Sequence, residues 1–119
     1  MGGKSMSCNC NNCNITINAG GQPYIANTQV TVGTDAVNIA LGWRRIQPIG
    51  YFTVRMENAI PSDATTTLPV TLTLNGVTRP LTLPNGTAVT VADILNVNVM
   101  EILNDKFNGI LALMSRTIV

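Results

Sequence analysis

The sequence predicts an all-β domain, an antiparallel β-sandwich or small barrel with one short helix near residues 91–95. Three observations carry that expectation. Short segments in which Val, Ile and Leu alternate with Thr, Asn and Arg recur at roughly ten-residue spacing, the period-two signature of half-buried strands. Turn-forming Gly, Pro and Asn punctuate them, most clearly at Asn75-Gly76. Apolar residues repeat at helical spacing nowhere for more than a turn or two.

The elements follow in order. Met1-Gly-Gly-Lys-Ser5 reads as an expression remnant ahead of a native start at Met6, and residues 6–14 as a flexible, polar Cys/Asn-rich leader. A single β-domain over residues 15–119 then opens with a short strand, Ile15-Thr-Ile-Asn18, followed by turn material from Ala19 to Pro23. Ile25 and then Thr28 to Val32 supply strand material. In Ala36 to Leu41, Val37, Ile39 and Leu41 share one face. Gly50 opens Tyr51 to Glu57, where Phe52, Val54 and Met56 face one way and Thr53, Arg55 and Glu57 the other. Ala59 to Thr67 reads as a polar surface loop.

Asn75-Gly76 is a two-residue type I′ turn, because both residue types accept positive φ and the turn's twist matches the flanking strands. That turn sets Leu74 opposite Val77, Val70 opposite Leu81, and Arg79 beside Leu72 on the apolar face. The Arg79 head must therefore reach a rim or a partner. Pro80 cannot donate to a ladder and places its strand, Val77 to Leu83, at an edge or bulge. Thr90 to Leu95 is the helical segment, with Thr90 as N-cap and Asp93 where a carboxylate favours a helix start. Val97 to Leu103 and Gly109 to Met114 form a second hairpin across residues 104–108. The count is six to eight strands.

Composition restricts function. The chain has no His, only 11% charged residues and a net charge of +1, whereas soluble domains carry roughly a quarter charged residues. A surface built from Thr, Asn, Ser, Gln and apolar groups suits contact with protein better than acid–base chemistry. Scattered Lys and Arg, adjacent only at Arg44-Arg45, cannot supply the phosphate neutralisation that nucleic acid demands. A mean hydropathy of +0.26 is high, yet no apolar run approaches the roughly 20 residues of a membrane span. A β-rich core and interfaces buried against neighbours account for it.

Catalytic chemistry finds little purchase. Cys8, Cys10 and Cys13 form a C-x-C-x-x-C cluster whose thiolates could converge on one soft metal. Three ligands leave a tetrahedral site open, however, and no His fills it. A disulfide or intermolecular crosslink, and a polar leader whose cysteines have no chemical role, are the other readings; the last is adopted, with no metal or cofactor. Of the six carboxylates, Asp35 and Asp105 look like turn residues, Asp63 a loop residue, Asp93 a helix-start residue, and Glu57 and Glu101 strand residues. None is paired in sequence as acid–base work requires. Ser and Thr nucleophiles lack a His base. No catalytic residue is assigned, and the chain is read as a non-enzyme.

Trp43-Arg44-Arg45 admits two readings. It is a binding patch, because Arg and Trp are enriched among interface hot spots and pair through cation–π contact. Alternatively, one buried Trp closes the core beside two solvated arginines. Trp43, Arg44, Arg45 and Arg79 are the interface candidates.

The stretches Asn38-Ile-Ala-Leu-Gly-Trp-Arg-Arg-Ile46, Leu68-Pro-Val-Thr-Leu-Thr-Leu-Asn-Gly76 and Asp105-Lys-Phe-Asn-Gly-Ile-Leu-Ala-Leu-Met-Ser115 resemble the small head-decoration (auxiliary capsid) proteins of crAss-like bacteriophages, a likeness that covers most of residues 6–115. The resemblance implies a non-enzymatic virion structural protein of the phage head, made in the bacterial host cytoplasm. Such a protein decorates or stabilises the capsid through contacts with the major capsid protein or other virion proteins. It implies no nucleic-acid or membrane partner and leaves a homo-oligomer open. A glycan- or host-surface-binding β-sandwich module using Trp43, Arg44 and nearby Asn or Tyr is the alternative.

Overall fold

The computed structural model of the chain describes residues 24–118. Seven strands and one helical turn run in the order β1 (Tyr24–Val32), β2 (Val37–Leu41), β3 (Ile49–Arg55), β4 (Val70–Leu74), β5 (Val77–Thr82), α1 (Val91–Ile94), β6 (Val97–Asp105) and β7 (Ile110–Ile118). The expected strand Ile15–Asn18 and the cluster of Cys8, Cys10 and Cys13 lie outside the described residues.

The strands close into a barrel in the order β1-β2-β4-β5-β7-β6-β3. A barrel, not two packed sheets, is therefore the architecture, and it is mixed where antiparallel pairing was expected. Four seams are antiparallel (β1–β2, β4–β5, β6–β7 and β3–β6), and three are parallel (β1–β3, β2–β4 and β5–β7). Each parallel seam joins strands that are not consecutive in the chain, β1 with β3, β2 with β4 and β5 with β7, because strands side by side and pointing the same way need a crossover between them.

Seven strands enclose a lumen that side chains can fill, and alternation supplies the filling. Val37, Ile39 and Leu41 of β2, Phe52 and Val54 of β3, and Val70, Leu72 and Leu74 of β4 all point inward and are buried, as their spacing predicts. Leu81, Met100, Ile102, Leu111 and Leu113 complete the interior. Met56, expected on the same face as Phe52 and Val54, packs against this core at the strand's exit and is only partly buried.

The Asn75-Gly76 turn forms as its residue types require, with φ of 53° at Asn75 and 83° at Gly76. It aligns Leu74 with Val77 and Leu72 with Arg79, the expected register. β5 is not an edge strand; it lies between β4 and β7. Pro80 is tolerated because the β5–β7 ladder begins one residue later, at Leu81 opposite Leu111. In the alternation of an antiparallel hairpin, the non-hydrogen-bonded pair Thr71–Pro80 turns the proline nitrogen away from β4. It faces the short gap before β7 starts, so no ladder bond is lost.

The loop over residues 59–67, expected to be a polar surface segment, is anchored in the core by Ile60 and Ala64, both buried. Its entry is pinned by Asn27, itself buried. Asn27 Oδ1 accepts the Glu57 and Asn58 amides at 2.7 and 2.9 Å, and its Nδ2 donates to the Asn58 carbonyl at 2.7 Å. In the helical turn, Asp93 Oδ2 accepts the Thr90 amide at 2.9 Å. Asn96, at φ 67°, then ends the turn and redirects the chain into β6.

Candidate functional site

Strand directions sort the connections between the two ends of the barrel. The β1–β2 turn, the β3–β4 loop and α1 lie at one end. The β2–β3 linker (residues 42–48), the Asn75-Gly76 hairpin tip and the β6–β7 turn (residues 106–109) lie at the other, here called the mouth.

The linker crosses the mouth and is tied down twice. The Arg44 amide donates to Asn75 Oδ1 at 3.0 Å and Asn75 Nδ2 donates back to the Arg44 carbonyl at 2.7 Å. Farther along, the buried Asn104 donates from Nδ2 to the Gln47 carbonyl at 2.8 Å, and the Lys106 amide donates to the Pro48 carbonyl at 2.8 Å. Between these ties Ile46 packs down against the core. The linker is thus a strap with its side chains set by β4, β5 and β6.

What the strap presents is apolar and cationic. Trp43 stands 76% exposed, so the reading in which it closes the core is overturned: β2 ends at Leu41, and Trp43 lies beyond the last inward position. Phe107, in the β6–β7 turn, is equally exposed, and Ile49, Val77 and Ile110 are exposed on the adjoining strand ends. Arg44 and Arg45 follow Trp43 and are exposed. Counting Arg79 and Lys106, four of the chain's seven cationic side chains sit at this end. Its acid, Asp105, is engaged within its own turn, where its Oδ2 accepts Asn108 Nδ2 at 2.7 Å. Asp35, Glu57, Asp63 and Asp93 all lie at or beyond the strand ends away from the mouth.

Arg79 occupies an inward phase. In β5 it shares a face with Leu81, which is fully buried, and it stands opposite Leu72. Arg79 lines a half-open cavity of about 300 Å³ at the mouth, together with Ile46, Leu74, Asn75, Val77 and Lys106. Its Nη1 is buried with no hydrogen-bond partner.

The four interface candidates therefore meet at one end of the barrel, joined through Asn75, which both holds the Arg44 backbone and lines the Arg79 cavity. Ile46, Asn104, Lys106 and Phe107 belong to the same site and were not singled out from sequence. The alternation of β6 carried a signal for Asn104, since it falls in phase with the inward-facing Met100 and Ile102. At the opposite end, a shallow hollow of about 510 Å³ lies between the β1–β2 turn and the β3–β4 loop. No group of three or more His, Cys, Asp or Glu capable of holding a metal occurs among the described residues. No helix among them is long and apolar enough to cross a membrane.

No protein-family model, curated protein or solved structure matches the chain.

Proposed function

We propose that the chain is a non-enzymatic structural protein of a phage virion that docks onto the capsid through the mouth of its barrel. The observation that carries the reading is the exposure of Trp43, Val77, Phe107 and Ile110, with Arg44 and Arg45, at one end of the barrel. Exposed aromatics set among arginines are the composition of interface hot spots, and apolar groups of that size carry a hydration cost that a partner relieves. The resemblance of the sequence to head-decoration proteins supports the shell as the partner. The closed ring of strands agrees, because it leaves loops and strand ends, not a free sheet edge, for contact.

Co-sedimentation of the purified protein with phage shells, or with the isolated major capsid protein, tests this. Saturable binding is expected, weakened at least about tenfold by Trp43→Ala or Phe107→Ala. Shells that bind the wild type and both variants equally would remove the mouth as the docking face. Absence of shell binding together with recognition of sugars on a glycan array would move the function to surface recognition through Trp43.

A further inference from the structure

We infer that the cavity beneath the strap is a carboxylate-binding pocket, which receives a Glu or Asp side chain of the docked partner protein. The inference rests on the docking reading for its partner, but its chemistry comes from the pocket alone.

Arg79 holds an unsatisfied donor, Nη1. A guanidinium carries five N–H groups and no acceptor, and a buried cationic donor without a partner is costly. The costs of burying Arg79 here are avoidable in principle, since the strand could place an apolar residue at this inward phase as it does at Leu81. The charge is instead held in place. Leu72 and Leu74 back it across the hairpin, and Pro80 stiffens the chain beside it. Lys106, on the facing turn, adds a second cation to the same cavity. Asn75 Nδ2 and Oδ1 are both occupied by the Arg44 backbone, so the amide cannot serve the guanidinium.

Among the described residues, no carboxylate lines the cavity. Asp105, the neighbour of Lys106, is bound to Asn108. Residues 1–23 contain no Asp or Glu. Two cations thus line an open space with walls of Ile46, Leu74 and Val77, and one of them, Arg79, carries a donor with no partner. That combination selects an anion carried on an aliphatic stem. A carboxylate offers the planar pair of oxygens that a guanidinium fork matches, and the apolar walls accept the methylenes behind it. A cavity of about 300 Å³ accommodates such a side chain and is far larger than the share of one water.

The test uses the full-length protein and two capped tripeptides, acetyl-Leu-Glu-Leu-amide and acetyl-Leu-Gln-Leu-amide, followed by NMR titration. The Glu peptide is expected to shift the Arg79 Nε–Hε resonance and the amides of Leu74, Val77 and Lys106 in a saturable way. The Gln peptide should bind at least about tenfold more weakly, the loss expected when a charge-assisted bond to a buried donor is removed. Arg79→Met should abolish the preference, and Lys106→Gln, at an exposed position, should reduce it with no burden on folding. Equal binding of the two peptides, shifts confined to residues outside the cavity, or inorganic phosphate competing as well as the Glu peptide would overturn the assignment. The outcome separates from the docking reading. Shell binding that survives Arg79→Met sinks the pocket and spares docking, whereas a Glu-selective pocket on a protein that ignores shells does the reverse.

Discussion

Asn75 and Arg44, thirty-one residues apart, exchange a reciprocal pair of hydrogen bonds between the side-chain amide of one and the backbone N–H and C=O of the other. The same Asn75 adopts the left-handed conformation that the hairpin tip demands. One residue therefore makes the β4–β5 turn and holds the strap that displays Trp43. The two duties can be separated, because glycine satisfies the first and not the second.

Asn75→Gly is expected to leave the hairpin intact and to free the strap. Loss of two largely exposed hydrogen bonds should cost about 1 kcal/mol, seen as a lowered urea midpoint with an unchanged slope. Amide exchange at Arg44 should accelerate while that at Leu72 and Leu81 does not. Exchange at Arg44 unchanged from wild type would show that the strap is held by its other end alone.

Gly76→Val isolates the turn itself. No atom lies within 4 Å of where a Cβ would stand, so crowding contributes nothing and the cost is that of forcing a β-branched residue to φ 83°. That cost should be about 1 kcal/mol or more, equivalent to a few degrees in Tm for a domain of this size. Gly76→Asn, which tolerates the conformation, should lose much less. Calorimetry on the pair provides the comparison.

Asn27→Leu should be the most damaging single change among these. The Asn27 side chain satisfies the Glu57 and Asn58 amides and the Asn58 carbonyl where the chain leaves β3. An isosteric hydrocarbon strands all three, at a cost of about 3 kcal/mol. A loss below about 0.5 kcal/mol in equilibrium unfolding would mean that water replaces the amide at no penalty.

Arg79→Met is expected to stabilise the free protein, by up to about 1 kcal/mol, because it substitutes an apolar chain of similar reach for a donor with no partner. The half-buried position limits the gain. A rise in Tm accompanied by weaker docking would mark Arg79 as a residue kept for recognition at the expense of stability. A fall in Tm would instead mean that its aliphatic stem and remaining donors hold the hairpin.

Much of the barrel was legible because alternation and turn chemistry are local. The inward faces of β2, β3 and β4 follow from spacing, the register of Leu72 with Arg79 follows from the two-residue turn, and Thr90 with Asp93 marks the helical turn. The parallel seams were not legible. Nothing in the residues of β2 specifies that β4, rather than a hairpin neighbour, will flank it, and that choice is settled by closing the ring. Pro80 points to an edge or a bulge, whereas β5 is flanked on both sides and only the residues ahead of Leu81 lack a β7 partner. Trp43 could be placed in either environment until the end of β2 was known. The site was half legible, since arginines and an indole announce themselves, whereas Ile46, Asn104 and Phe107 acquire meaning only once three separate connections converge.

The direction of β7 has a practical corollary. The strand starts beside Phe107 and runs the length of the wall to Ile118, leaving the barrel at the end remote from the strap. A cargo fused after Ile118 would emerge at the end of the barrel remote from Trp43, with the body of the barrel as spacer.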